Sequence, residues 1–326
     1  MGSPSWRVAL RWLVGALVAA ALTTLGPAPL TSPPDDSTAS GQSPGAAGST
    51  AAQGRSSSVE AAVPITFPTP ATAGLPAGWS PRRTHTGDLW IRTAGTVVED
   101  LRITDGVIHV AAQDVTLRRV DAVGTKVVND TGDTCGSGLV IEESRFVAGS
   151  GPTRDTDLPV IGNGGFTVRD VVIDGVPEGI RVGAKQCGDV VVEHSFVRIT
   201  PPDVCSDWHG DGIQGYGGGR VTVRRTWIIM HEREDCHGTA PFFYPSGQSN
   251  TSLTIEGLLV EGGGYPFRAG TPGTVRDLQV VRDSWGYGPV DVLCSALTDW
   301  QAHLVTVSEE GRTTPGPAIE CDGSGT

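Results

Sequence analysis

Residues 221–228 read VTVRRTWI, and residues 190–197 read VVVEHSFV. Both follow one eight-residue pattern. An apolar residue, any residue and a second apolar residue come first. Arg or Glu often follows, then three variable positions, then usually an apolar one. The pattern also reads TVVEDLRI at 96, VTLRRVDA at 115, LVIEESRF at 139 and FTVRDVVI at 166. It returns as LTIEGLLV at 253 and, degenerate, as GTVRDLQV at 273. The steps between copies are 19, 24, 27, 24, 31, 32 and 20 residues. Alternating apolar residues turn one side of each strand inward. One copy is too short to bury its own face, so neighbouring copies must stack to make a core. Uneven steps fit short strands of fixed length joined by loops of variable length. Hairpin signals such as Asn-Gly between adjacent runs are nearly absent, which argues against an antiparallel sandwich. The expectation is all-β: a single-stranded right-handed parallel β-helix, a solenoid of about eight coils.

Composition agrees with a turn-rich β chain. There are 45 glycines in 326 residues, and aromatics make up only 6%. The formal charge of −12 argues against a nucleic-acid partner, whose footprint is a basic surface. The repeats occupy a domain expected over 64–326. Ahead of it, Arg7 and Arg11 precede an apolar run from Trp12 to Leu25, with small residues at Gly26 and Ala28. That pattern predicts an export signal over 1–28, with an uncleaved anchor as the alternative. Residues 29–63 are rich in Ser, Ala, Gly and Pro and predict a flexible spacer. The chain is expected outside the cell, secreted or tethered to a wall or membrane by its N-terminal segment, and monomeric.

Six cysteines, Cys135, Cys187, Cys205, Cys236, Cys294 and Cys321, all follow the signal. An even number in an exported chain predicts disulfides. Sequence leaves their connectivity open. Two pairs are expected: Cys294 with Cys321, pinning the tail, and Cys205 with Cys236, joining neighbouring repeats. His231 and His237 flank Cys236, but a disulfide is preferred there over a metal site.

The repeats resemble the right-handed parallel β-helix of the pectin-lyase-like superfamily, over roughly residues 90–300. RVGAKQCGDVVVEHSFV and HGDGIQGYGG also resemble secreted β-helix repeat proteins of actinobacteria. HGDGIQ at 209–214 is similar to the N-T-D-G-I-D motif of polygalacturonases. Asp211, Gly212 and Ile213 match, and Gln214 replaces the second aspartate. Residues 233–236, REDC, and 262–270, GGGYPFRAG, are looser likenesses of that family's other motifs. Inverting hydrolysis needs two carboxyl groups ~6.5–9.5 Å apart, one of them protonated. Gln214 cannot serve as the acid, and the third motif lacks its histidine. The resemblance therefore implies the fold more firmly than the hydrolytic machinery.

Each repeat is preceded by a second short strand, among them GVIHV at 106, GIRVG at 179, GIQGY at 212, PFFYP at 241 and YPFRA at 265. Alternation points Ile108, Val110, Ile180, Val182, Ile213 and Phe267 inward. It points His109, Arg181, Gln214, Phe243 or Tyr244, and Arg268 outward, into one exposed ladder on which a long polymer could lie. The leading expectation is a lyase that cleaves an acidic glycan by β-elimination. Such a site needs a cation at the carboxylate, a base for the C5 proton and an acid at the leaving oxygen. Arg181, His209, Asp211, Gln214, Tyr265 and Arg268 are its catalytic candidates. Trp208, Tyr216, Lys185, Tyr244 and Trp285 are candidates for substrate binding, with Tyr287 in the same aromatic group. Trp227 and Trp300 are expected to pack beneath loops. Calcium is a possible cofactor, with Asp203, Asp207 and Asp211 offering oxygen ligands. One alternative is a divergent inverting hydrolase that pairs Asp211 with Glu234 or Asp235. The other is a non-catalytic protein that binds a polysaccharide or cell-surface glycan.

Overall fold

The computed structural model describes residues 65–131, 135–155 and 159–321, all within the unit Glu60–Thr326. The expected export signal and spacer lie outside the described residues. Among the described residues almost every element is a strand, and helix is confined to three short 3-10 turns. Each copy of the repeat pairs in parallel with the copies before and after it.

The expectation of a single-stranded right-handed parallel β-helix of about eight coils is corrected by the sheet. All 21 strands belong to one continuous hydrogen-bonded sheet, closed around a core in the manner of a barrel and almost without helix. The reason lies at the fifth position of the repeat. Asp100, Arg119, Glu143, Asp170, His194, Arg225, Gly257 and Asp277 all adopt positive φ, between 41° and 91°. The repeat is thus not one short strand but strand, left-handed corner, strand. The corner turns the chain through the wall, and the sheet continues past it in strands such as Val97–Val110 and Ser252–Gly262. Most of these corners carry a side chain where glycine would be less strained. The wall also runs past the eight repeats. Leu89–Ile91 pairs ahead of the first, and Leu297–Val307 pairs after the last and is covered by the antiparallel strand Thr313–Ala318.

Three ladders run along the wall. The third position of the repeat faces inward, and Val98, Leu117, Ile141, Val168, Val192, Val223, Ile255 and Val275 stack in one buried column. The fourth position faces out. There Glu99, Arg118, Glu142, Arg169, Glu193, Arg224, Glu256 and Arg276 alternate in sign, one per strand, and Arg276 pairs with Asp299. Opposite charges directly across a pair each contribute roughly 0.2–1 kcal/mol, and like charges oppose pairing. The row therefore reinforces the register that the apolar column sets. Glu193 lies 3.9 Å from both Arg169 and Arg224. Glu193→Arg is expected to lower stability by about 1–2 kcal/mol in denaturant unfolding, and the neutral Glu193→Gln by less. No loss in Glu193→Arg would remove the row's role.

The second ladder, beyond the corners, is covered from outside by the N-terminal segment. Phe67 N–H donates to Gly311 O at 2.9 Å, Gly74 N–H to Asp170 O at 3.0 Å, and the Trp79 indole to Asp100 at 3.1 Å. Phe67 and Ala73 pack there against Val172, Phe196, Trp227, Leu259 and Val305. The third ladder stays open. Its inward column runs Leu89, Ile108, Val127, Ile161, Ile180, Ile213, Phe242, Phe267, Val290. Every inward position expected in its strands is fully buried.

Candidate functional site

The outward side of the open ladder carries the polar row. Arg181 pairs with Gln214, Gln214 with Phe243, Phe243 with Arg268, and Arg268 with Asp291. At the other end, Trp90 pairs with His109, their rings stacked at 4.0 Å, and Arg92 lies 4.4 Å from the Trp90 ring. Strand spacing puts these side chains ~4.8 Å apart along a straight line.

Loops flank this line on both sides because each ladder strand is entered and left by one. On the entry side, the loops around 148–155, 200–210 and 231–239 are joined to one another. Asp203 accepts from Thr153 N–H at 2.8 Å, Asp155 accepts from Ser206 N–H at 2.8 Å, and Arg233 donates to Pro202 O at 3.2 Å. The Cys205–Cys236 disulfide closes the row. On the exit side, Cys135–Cys187 joins two loops, Lys185 N–H donates to Gly217 O, and Gly217 N–H to Gln248 O. Cys294–Cys321 fixes the C-terminal strand cover. Both expected pairs form, and the third joins the remaining two cysteines. Three disulfides with no free cysteine among the described residues indicate an oxidising location. Among those residues no helix is long and apolar enough to cross a membrane.

Beneath the polar row lie two carboxyl groups. Ile180 pairs with Ile213 and Arg181 with Gln214, so EGIR at 178–181 stacks on DGIQ at 211–214, and Glu178 precedes Asp211 by one strand. Asp211 is fully buried. Its Oδ1 accepts from Ala240 N–H at 3.1 Å, and its Oδ2 has no hydrogen-bond partner among the described residues. Burial, reinforced by neighbouring Glu178, pushes the Asp211 carboxyl well above the usual carboxylate range. Burial also raises Glu178, against the pull of Arg181. The Arg181 guanidinium donates to Glu178 Oε1 at 2.7 Å and to Gln214 Oε1 at 3.1 Å, tying the carboxyl layer to the row above.

The remaining candidates divide by place. Tyr265 lies beside Arg268, with ring and guanidinium 5.8 Å apart, and contacts Tyr287. Tyr216 is 60% exposed and 5.7 Å from the Arg181 guanidinium. Lys185 is exposed on the exit-side loop. His209 is exposed in the entry-side loop, 3.2 Å from Asp207. Trp285 is partly buried against the core.

Two expectations of exposed aromatic subsites are corrected. Trp208 is buried and its indole donates to Pro177 O at 2.9 Å. Tyr244 is fully buried, with its hydroxyl donating to Gly219 O at 3.1 Å, because Phe243 takes the outward place. Asp211 is likewise under the row rather than in it. Asp235 sits on an exposed turn, hydrogen-bonded to Arg233, which lowers its carboxyl. Among the described residues no three His, Cys, Asp or Glu side chains converge on a metal position, and Asp203 is engaged by Thr153. Glu178 was not among the expected residues. Its signal was there in the sequence, since EGIR repeats the acid-Gly-Ile-polar order of DGIQ.

No family model, no curated protein and no solved structure matches this chain.

Proposed function

We propose that this chain is an exported protein that binds a linear acidic glycan along the open ladder. The observation that supports this is the polar row itself. Arg181, Gln214, Phe243 and Arg268 stand on consecutive strands between two rows of disulfide-joined loops. Guanidinium groups recognise carboxylates by paired hydrogen bonds, and aromatic rings take up the flat faces of sugars. The strand repeat places one donor or ring per ~4.8 Å, so an extended polymer meets a new side chain at each step. Export is supported by the disulfides and by the Arg-flanked apolar run at the N-terminus.

One observation favours β-elimination as the reaction at this face. Glu178 has a raised carboxyl in contact with Arg181. An acid beside a cation supplies two of the three groups that elimination requires. In that step a base removes the C5 proton and the C4–O bond breaks. A C4=C5 double bond then forms, and the departing oxygen takes a proton from the acid.

The test is a binding and turnover screen on polyuronates. Arg181→Ala and Gln214→Ala are each expected to weaken binding about ten-fold, the equivalent of ~1.4 kcal/mol; the melting temperature changes little in Gln214→Ala and falls in Arg181→Ala, which strips buried Glu178 of its partner. Elimination would appear as the ultraviolet absorbance of unsaturated chain ends. Reducing ends without that absorbance would exclude it, and unchanged binding in both variants would remove the ladder as the glycan face.

A further inference from the structure

Beyond the last disulfide-joined loops, the entry side continues in two loops that each carry a tyrosine. Tyr265 precedes the strand Phe267–Ala269, and Tyr287 precedes its neighbour Val290–Val292. The loops are joined by Gly286 N–H to Gly263 O at 3.0 Å and by Tyr287 N–H to Gly264 O at 2.9 Å. Glycine lets the rings approach. A Cβ on Gly264 would lie 2.8 Å from Tyr287 Cε2, and one on Gly288 would lie 3.0 Å from Tyr265 Cε1. Each ring thus lays a Cε edge over the glycine that adjoins the other tyrosine. The ring centroids are 5.7 Å apart with planes inclined at 46°, the spacing of a packed aromatic pair. Tyr287 is 82% exposed, and neither hydroxyl has a hydrogen-bond partner among the described residues. The chain's other two tyrosines stand apart. Tyr244 is buried with its hydroxyl on Gly219 O, and Tyr216 lies beside Arg181. No thiol is free to quench a radical here, since all six cysteines form disulfides.

We propose that Tyr265 and Tyr287 form an oxidative cross-linking site, joined as dityrosine by a one-electron oxidant, a haem peroxidase supplied with hydrogen peroxide. Each phenol gives one electron and its hydroxyl proton to the oxidant. The two phenoxyl radicals form one C–C bond between Cε carbons, the positions next to the hydroxyl-bearing carbon. The ring hydrogens on those carbons leave as protons, and each oxygen regains one, restoring both phenols. One peroxide accepts the two electrons and two protons and becomes two waters. Holding the rings together makes the coupling intramolecular, which favours it over links between molecules. The bond would extend the row of loop-joining links that starts with Cys205–Cys236, and would fix both loops beside Arg268, 5.8 Å from the Tyr265 ring. The site stands independently of the glycan reading.

The experiment treats the dilute full chain with hydrogen peroxide and a haem peroxidase, then follows dityrosine fluorescence, intact mass and peptide maps. The wild-type monomer is expected to lose two hydrogen masses, gain the fluorescence and yield one linked pair of peptides carrying Tyr265 and Tyr287. Tyr265→Phe and Tyr287→Phe keep both rings and remove one hydroxyl each, and thermal melts confirm that they fold. Each is expected to lower the monomer's fluorescence about ten-fold or more, while Tyr216→Phe leaves it unchanged. Fluorescence confined to covalent dimers overturns the proposal, as does a monomer cross-link that survives either substitution at 265 or 287. So does a wild-type monomer that stays unlinked while free tyrosine couples in a parallel mixture, including one that gains oxygen at Trp285 instead.

Discussion

Asp211→Asn is expected to make the protein more stable at neutral pH, with a rise in melting temperature of roughly 2–4 °C for each kcal/mol gained. The reasoning starts from burial. Asp211 is enclosed, one carboxyl oxygen has no partner among the described residues, and Glu178 stands one strand away. Its carboxyl in the folded chain therefore holds its proton well above the ordinary value of 3.8. Between the unfolded and folded pKa, the native state binds more protons than the unfolded one. Stability contributed by this group thus falls as pH rises from about 4 through the folded value, and stays low above it. Asparagine keeps the Oδ1 acceptor for Ala240 N–H and does not titrate. The advantage of the variant should be greatest at neutral to alkaline pH and vanish below about pH 4. A melting series across pH 3–9 checks this, and an advantage independent of pH would refute the titration account. Asp100 acts in the opposite sense. Hydrogen bonds from Arg119 hold its carboxyl at about 2, against an ordinary 3.8. Its contribution is present above the unfolded value and is lost as pH falls towards 2. The wild-type chain should accordingly be most stable in mildly acidic solution.

Opening Cys205–Cys236 is expected to have the second large effect. The disulfide closes 31 residues of chain, and removal of a link of that size typically costs 2–4 kcal/mol. The Cys205→Ser/Cys236→Ser variant should therefore melt roughly 5–12 °C lower. It should also lose glycan affinity out of proportion to this, because the bond joins the entry-side loops that stand beside Arg181 and Gln214. The comparison variant is Cys294→Ser/Cys321→Ser, which loosens the C-terminal cover and whose bond joins none of the entry-side loops. Equal loss of affinity in the two variants would mean that the entry-side loops have no separate part in binding.

Much of the architecture could be read from residues 221–228 and their relatives. The inward apolar column and the stacking of repeats in parallel follow from alternation, and the two expected disulfide pairs form although spacing alone leaves connectivity open. The corner did not follow. Eight different contexts put Asp, Arg, Glu, His or Gly at the fifth position, and of these only glycine announces positive φ by its identity. Local propensity hid the turn, so each repeat looked like one strand followed by loop. The same blindness affected the site. Alternation correctly separated Ile213 from Gln214, but it says nothing of a residue such as Asp211 at the corner where the strand begins. Trp208 and Tyr244 look in sequence like sugar-stacking rings. Only the fold reveals that each points its polar atom at a buried carbonyl. Arg181 and Arg268 were legible as outward cations, but not the carboxylates that already hold them.

The alternating row from Glu99 to Arg276 restricts how such a chain can grow or shrink. Excising the one turn that carries Arg169 would set Glu142 directly against Glu193. Excising the turn that carries Glu193 would set Arg169 against Arg224. Either deletion leaves a like-charge seam across the join. Removing both turns together restores Glu142 opposite Arg224, opposite in sign as before. The number of strands in this row therefore changes most easily by two at a time, a parity rule written in a single column of side chains.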